Sequence, residues 1–100
     1  MKELVKNEFN LCDLIVDKIE KIEDKSDNKT KRLRITFKNK YGISIIKGYG
    51  TYSGNDSYEI APLDKKGCLC GKLLKIDFDD VLGWQSKQDI FEHMTALSNL

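Results

Sequence analysis

An α+β fold is predicted by three features of this 100-residue chain. Arg32-Leu33-Arg34-Ile35-Thr36-Phe37-Lys38 alternates polar and apolar residues, and Tyr41, Ile43 and Ile45 resume the alternation after a short gap. Period two marks a strand with one buried face. Near the C-terminus, Ile90, Phe91, Met94 and Leu97 keep the three- and four-residue spacing of a helix with one apolar stripe. The expected architecture is a curved antiparallel meander of three or four strands with the C-terminal helix packed on one face. The N-terminal segment, a helix or a helix plus a strand, should cover an edge or the other face. Residues 1–100 make a single domain near the commonest domain size.

The elements follow in order. Between residues 3 and 23 the apolar positions Leu4, Val5, Leu11, Cys12, Ile15, Val16, Ile19 and Ile22 are spaced mostly by three or four. That reads as one helix. The β-branched pair Ile15-Val16 and the lack of a clear cap keep open a short helix ending near Asp13, with a strand over roughly residues 15–23. Asp24 to Thr30 is polar throughout and reads as a loop. In the hairpin that follows, a three-residue connection at Lys38-Asn39-Lys40 pairs Phe37 with Tyr41, Ile35 with Ile43 and Leu33 with Ile45. That register puts both apolar sets on one face, and a one-residue slip would separate them. Asn39 and Gly42 are the residues near this turn that tolerate left-handed backbone.

Ser57 to Leu63 reads as a third strand, with Pro62 at a strand end or edge because it has no N–H to donate. Asp64-Lys65-Lys66-Gly67 is a tight-turn sequence, and a fourth strand is expected from about Cys68 to Phe78. Asp77 to Trp84 then leads to the C-terminal helix, with Ser86 as N-cap and Asp89 completing a capping box. Phe37 and Phe91 are the aromatic residues expected in the core.

Charge is segregated along the chain. Residues 29–55 carry seven Lys/Arg and no Asp or Glu, while residues 1–28 and 56–100 each hold eight acids and five bases, for a net charge of +1. Such a pattern bears on what a protein touches. The basic segment ends in Gly48-Tyr49-Gly50-Thr51-Tyr52-Ser53-Gly54-Asn55-Asp56-Ser57-Tyr58, where three glycines interleave three tyrosines. A phosphate-binding loop would need a helix directly after it, and here a strand follows. The segment is then either an irregular connection lying on the core or a recognition loop, a setting in which Tyr supplies adaptable contact area. Arg32, Arg34 and Lys38 share one face of the hairpin and are the accompanying candidates, although a solvated sheet face is the plain alternative. Ile46 on that same face hints that it is partly covered.

Other chemistries find little footing. The three cysteines suggest no disulfide framework, which favours a reducing cytoplasm. Cys68 and Cys70 lack the spacing and partners of a zinc site and read as small buried apolar residues. Asp77, Asp79 and Asp80 form a carboxylate cluster without the Gly and distal Glu of a calcium loop. No metal and no cofactor is expected. With no paired nucleophile and base in view, the chain does not read as an enzyme. Neither a secretory leader nor a membrane-spanning run is apparent.

Three segments together resemble a loose family of small proteins of bacteriophages and related mobile elements. They are Tyr41 to Gly54, Ser57 to Leu63, and Asp79-Asp80-Val81-Leu82-Gly83-Trp84 leading into an acidic helix. The chain departs from that pattern at Cys68-Leu69-Cys70-Gly71-Lys72, which leaves the register of the fourth strand open. The resemblance implies a setting: such phage proteins often block host defences by binding, among them inhibitors of CRISPR nucleases. The resulting expectation is a cytoplasmic, phage-encoded binding protein that inhibits a host defence protein, with a nucleic-acid-binding defence complex among the candidate partners. Its contacts would be Tyr49, Tyr52, Asn55, Tyr58, Arg32, Arg34 and Lys38. Alternatively Asp77, Asp79 and Asp80 would imitate phosphates toward a basic groove. Two further readings stay open, a nucleic-acid-binding module using the basic hairpin and the Gly/Tyr loop, and a binder of a small nucleotide signal.

Overall fold

The computed structural model describes residues 1–48, 57–76 and 79–100. Its elements are α1 (Lys2–Phe9), α2 (Asp13–Asp17), β1 (Ile19–Asp24), β2 (Thr30–Phe37), β3 (Gly42–Gly48), β4 (Tyr58–Leu63), a 3-10 turn (Gly71–Leu74), β5 (Leu82–Gln85) and α3 (Lys87–Ser98). The strands form one antiparallel meander in the order β1-β2-β3-β4-β5. The fold is α+β, with N-terminal helices and the C-terminal helix packed on the sheet.

The hairpin register is the expected one. Leu33 pairs with Ile45 and Ile35 with Ile43, and the Phe37 amide closes the turn by donating to the Tyr41 carbonyl at 2.8 Å. Leu33, Ile35, Phe37, Ile43 and Ile45 are all buried and meet Val5, Phe9, Ile15, Ile90, Met94 and Leu97 from the helices. The core therefore lies between the helices and one face of the sheet. The left-handed residue of the turn is Lys40, with φ of 77°, and not Asn39 or Gly42. Asn39 instead uses its side chain to brace the turn and to reach α3: Oδ1 accepts from the Tyr41 amide and Nδ2 donates to the Leu97 carbonyl at 2.8 Å. Gly42 is needed for close approach, because a Cβ there would lie 2.4 Å from the Ile35 carbonyl oxygen.

The N-terminal segment is not one helix. Asn10, at φ 53° and ψ 45°, takes the left-handed conformation that ends α1, a role Asn fills after glycine. One short helical turn follows, and from Ile19 the chain is a strand, later than the 15–23 alternative. The helical spacing of Ile19 and Ile22 has a specific cause. β1 carries a bulge, so Ile19 pairs with Phe37 while Ile22 pairs with Ile35. An extra residue between them lets an i,i+3 pair share one strand face. β1 covers the β2 edge, and α1 joins α3 on the core face.

Of the fourth strand expected over 68–78, the described part, residues 68–76, does not form a strand. Leu69 makes a single bridge to Leu63, and the chain then winds into the 3-10 turn. The fifth element of the sheet is β5, drawn from residues expected only to lead into the helix. Pro62 is accommodated because its carbonyl accepts from the Cys70 amide, and a residue's N and O point the same way in a strand. Its missing N–H thus faces a side where β5, paired only with Tyr58 and Ile60, has already ended. The 64–67 turn forms as expected: the Gly67 amide donates to the Asp64 carbonyl at 2.9 Å. Ser86 caps α3 in a full capping box with Asp89.

Candidate interaction surface

Burying Leu33, Ile35 and Phe37 turns Arg32, Arg34 and Thr36 to the opposite face of the sheet, because side chains alternate along a strand. Register then assembles that outer face in rows. Arg32 lies beside Ile46 and Ile46 beside Glu59; Arg34 lies beside Ser44 and Ser44 beside Ala61. Ile46 is half-buried, and Arg32 is exposed.

Arg34 is anchored. Its Nη1 donates to the Gly67 carbonyl at 3.1 Å, and the turn carrying Gly67 is braced by the Asp64 carboxylate, which accepts from the Lys66 and Cys68 amides. The 64–67 turn thereby covers part of the outer face, as Ile46 hinted for this side of the sheet. Beside it is an open hollow of about 190 Å³ bordered by Glu23, Arg34, Thr36, Lys40, Lys65 and Lys66. A second, of about 100 Å³, lies between Lys25, Arg32, Arg34, Ser44 and Ile46.

Some of the acids do answer the basic segment, but elsewhere. Glu8 of α1 engages Lys31, Glu20 meets Lys40 at 2.6 Å, and Glu23 reaches Lys21 and Lys25 at 3.6 and 3.9 Å. Among the described residues, no carboxylate lies within ion-pair distance of Arg32 or Arg34. Among these residues the two guanidinium groups thus make no direct ion pair on this face, while Asp27 feels the Arg32 charge from beyond ion-pair distance.

The other sequence candidates fall as follows. Tyr49, Tyr52, Asn55 and Asp77 lie outside the described residues. Tyr58 is not a surface contact: it begins β4, is 2% exposed, and packs edge-on against Phe9 at 5.3 Å between ring centroids. Its hydroxyl donates to Glu8 at 2.9 Å. Burying the ring against α1 while satisfying its hydroxyl makes it a core residue. Lys38 is exposed but borders neither hollow; it belongs to the β2–β3 turn, where its amide donates to the Lys18 carbonyl. Arg32 and Arg34 are brought together; Lys38 is not with them.

Asp79 and Asp80 are exposed and committed to local backbone. Asp80 Oδ1 accepts the Gly71 amide at 2.8 Å, and Asp79 Oδ1 accepts the Asp80 amide at 2.8 Å. Asp80 thereby fastens the chain to the 3-10 turn. No group of three or more His, Cys, Asp or Glu is placed to hold a metal ion among the described residues. The cysteines are not buried as expected: Cys12 and Cys68 are exposed and Cys70 is half-buried, because the strand meant to bury the last two is absent.

Trp84 was missed by sequence reasoning. It is 67% exposed and has φ of 58°, a left-handed conformation that is an outlier for a bulky residue and costs on the order of 1–3 kcal/mol. Its position explains the geometry. Gln85 pairs with Tyr58 and Leu82 with Ile60, so Gly83 and Trp84 together oppose Glu59 in a bulge. The only hint in the sequence was an aromatic residue following glycine in a polar stretch, which is not specific.

Comparison of the chain with protein-family models, with curated proteins and with solved structures finds no match.

Proposed function

We propose that this chain is a non-enzymatic binding protein that occupies and inhibits a host defence protein, docking through the outer face of its sheet. The observation that carries the reading is the pair Arg32 and Arg34, presented on one strand, without a carboxylate within ion-pair distance among the described residues, and bordered by open hollows. Catalytic and small-molecule sites are concave and bury most of their ligand; an open basic face suits a macromolecular partner with a complementary acidic surface. The defence setting rests on the resemblance to phage proteins, and the partner would be met in the cytoplasm of the infected bacterium.

The test couples capture to activity. Tagged protein is incubated with host lysate, nuclease-treated and untreated, and the captured defence protein is purified and assayed with the wild-type chain and with Arg32→Glu/Arg34→Glu. The expected result is nuclease-resistant capture and inhibition by the wild type, with slower association by the charge-reversed variant. Equal inhibition by a charge-reversed variant that melts normally would remove the outer face from the interface.

A further inference from the structure

The row of outer-face residues running from Arg32 to the edge of the sheet has a chemistry that a protein partner does not exhaust. Register orders it as Arg32 on β2, Ile46 on β3, Glu59 on β4 and the Gly83–Trp84 bulge on β5. At about 4.8 Å per strand, the backbone positions of Arg32 and of the bulge stand roughly 14 Å apart. Arg34 and Lys25 adjoin Arg32 around the smaller hollow. Glu59, in the middle, is already engaged by the protein itself.

Trp84 carries the argument furthest. A strained backbone placing a large aromatic residue in solvent, on a bulge at a sheet edge, is the kind of outlier from which a site is inferred. The surroundings select the ligand. Among the described residues, the row ends in one exposed ring, and the half-buried Ile46 lies near Lys25, Arg32, Arg34, Glu23 and Glu59. One planar platform in line with two guanidinium groups that, among the described residues, make no ion pair is the arrangement that holds an unpaired nucleotide strand. The ring stacks on a base, and Arg and Lys follow the phosphates.

We infer that the outer sheet face binds single-stranded nucleic acid, with a base stacked on Trp84 and the phosphate backbone led toward Arg32 and Arg34. This goes beyond the protein-partner reading and does not depend on it. The stacking requires an unpaired base, so duplex DNA is a poor ligand. Ribose and deoxyribose strands share the chemistry.

Trp84 is the chain's only tryptophan, so excitation at its absorption edge reports the proposed contact directly. The wild-type protein is titrated with fluorescein-labelled oligodeoxyuridylate and oligouridylate of about 15 nucleotides, which share one base, and with a duplex of equal length. Unlabelled strands are used for the tryptophan signal, and anisotropy is followed in parallel. We expect quenching of Trp84 emission by the single strands and weaker binding of the duplex; the tighter of the two single strands identifies the preferred sugar. Salt should weaken binding with a logarithmic slope of about −2 if three phosphates are met. Trp84→Ala should lose about tenfold in affinity, with Trp84→Phe recovering much of it, since stacking needs only an aromatic face. Arg32→Glu, a change at an exposed residue, should lose affinity and flatten the salt slope. The inference is overturned by unquenched emission, by duplex bound as tightly as single strands, or by Trp84→Ala binding like the wild type. Nuclease-resistant inhibition of a defence protein together with any of these outcomes would leave the proposed function standing and this inference refuted.

Discussion

The Tyr58 hydroxyl donates to the Glu8 carboxylate at 2.9 Å, joining residues 50 positions apart. Glu8 also engages Lys31, and Lys47 sits over the Tyr58 ring at 4.8 Å from its centre. One buried phenol thus ties α1 to β4, between an acid from the N-terminal segment and a lysine from the basic one. The contact explains why a tyrosine beside the Gly/Tyr segment belongs to the core.

Removing the hydroxyl and removing the ring should therefore differ. Tyr58→Phe keeps the packing against Phe9 and should cost ~1.5–3 kcal/mol, the range for a hydrogen bond to a charged group. Tyr58→Ala should cost ~3–5 kcal/mol, as for other large aromatic truncations in cores. Urea denaturation of the two variants checks the ratio; equal costs would mean that the ring contributes little.

Phe37 and Phe91 should separate as well, although the sequence suggested equal roles. Phe37 is fully buried and pairs with Ile19 across the sheet, so Phe37→Ala should cost ~3–5 kcal/mol. Phe91 is half-buried at the margin of the core. Its truncation should cost less than half as much, read from the same denaturation midpoints.

Gly42→Ala should destabilise by ~2 kcal/mol or more, since a Cβ 2.4 Å from a backbone oxygen forces β2 and β3 apart. Thermal melting checks this. A melting temperature within a degree of the wild type would show that the hairpin can yield at that point.

Stability should depend on pH in two windows. Gln85 Nε2 donates to the Gly83 carbonyl, which leaves its Oε1 to accept from His93 Nε2 at 2.6 Å. Burial holds the His93 imidazole below its ordinary value of 6.5, with Asp89 and Glu92 pulling the other way. The unfolded chain then takes up a proton that the folded chain resists. Stability is full above about pH 6.5 and falls as pH drops from there through the lower folded value. His93→Asn should flatten this window in denaturation curves taken between pH 7.5 and 5. The second window lies lower. The Ser86 amide holds Asp89 below 3.8, and local amides and Ser26 do the same for Asp27 and Asp24. Their contributions are present above about pH 4 and are lost as pH falls further, a loss that Asp89→Asn, which removes the titrating group, should reduce at α3.

Much of the fold was legible because it rests on local periodicity. Leu33, Ile35 and Phe37 against Ile43 and Ile45 admit one register, and Ser86 with Asp89 announces the start of α3. The candidate site was legible in part: Arg32 and Arg34 follow from the same alternation that buries Leu33 and Ile35. Two bulges defeated the rest. The one in β1 gave a strand helical spacing, and the one at Gly83–Trp84 hid an edge strand inside what read as a lead-in to the helix.

The sequence by itself determined the fold class, the central hairpin with its inward and outward faces, the 64–67 turn and the cap of α3. Each is set by neighbours a few residues apart, whose spacing and hydrogen-bonding capacity are written locally. Only the tertiary structure decided that Tyr58 faces Glu8 and Phe9, that the 68–76 segment bridges and turns without forming a strand, and that Trp84 stands exposed beside the row begun by Arg32. Those outcomes depend on pairings between residues distant in the chain. There, burying one surface and satisfying one hydroxyl or amide outweigh what any short stretch prefers alone.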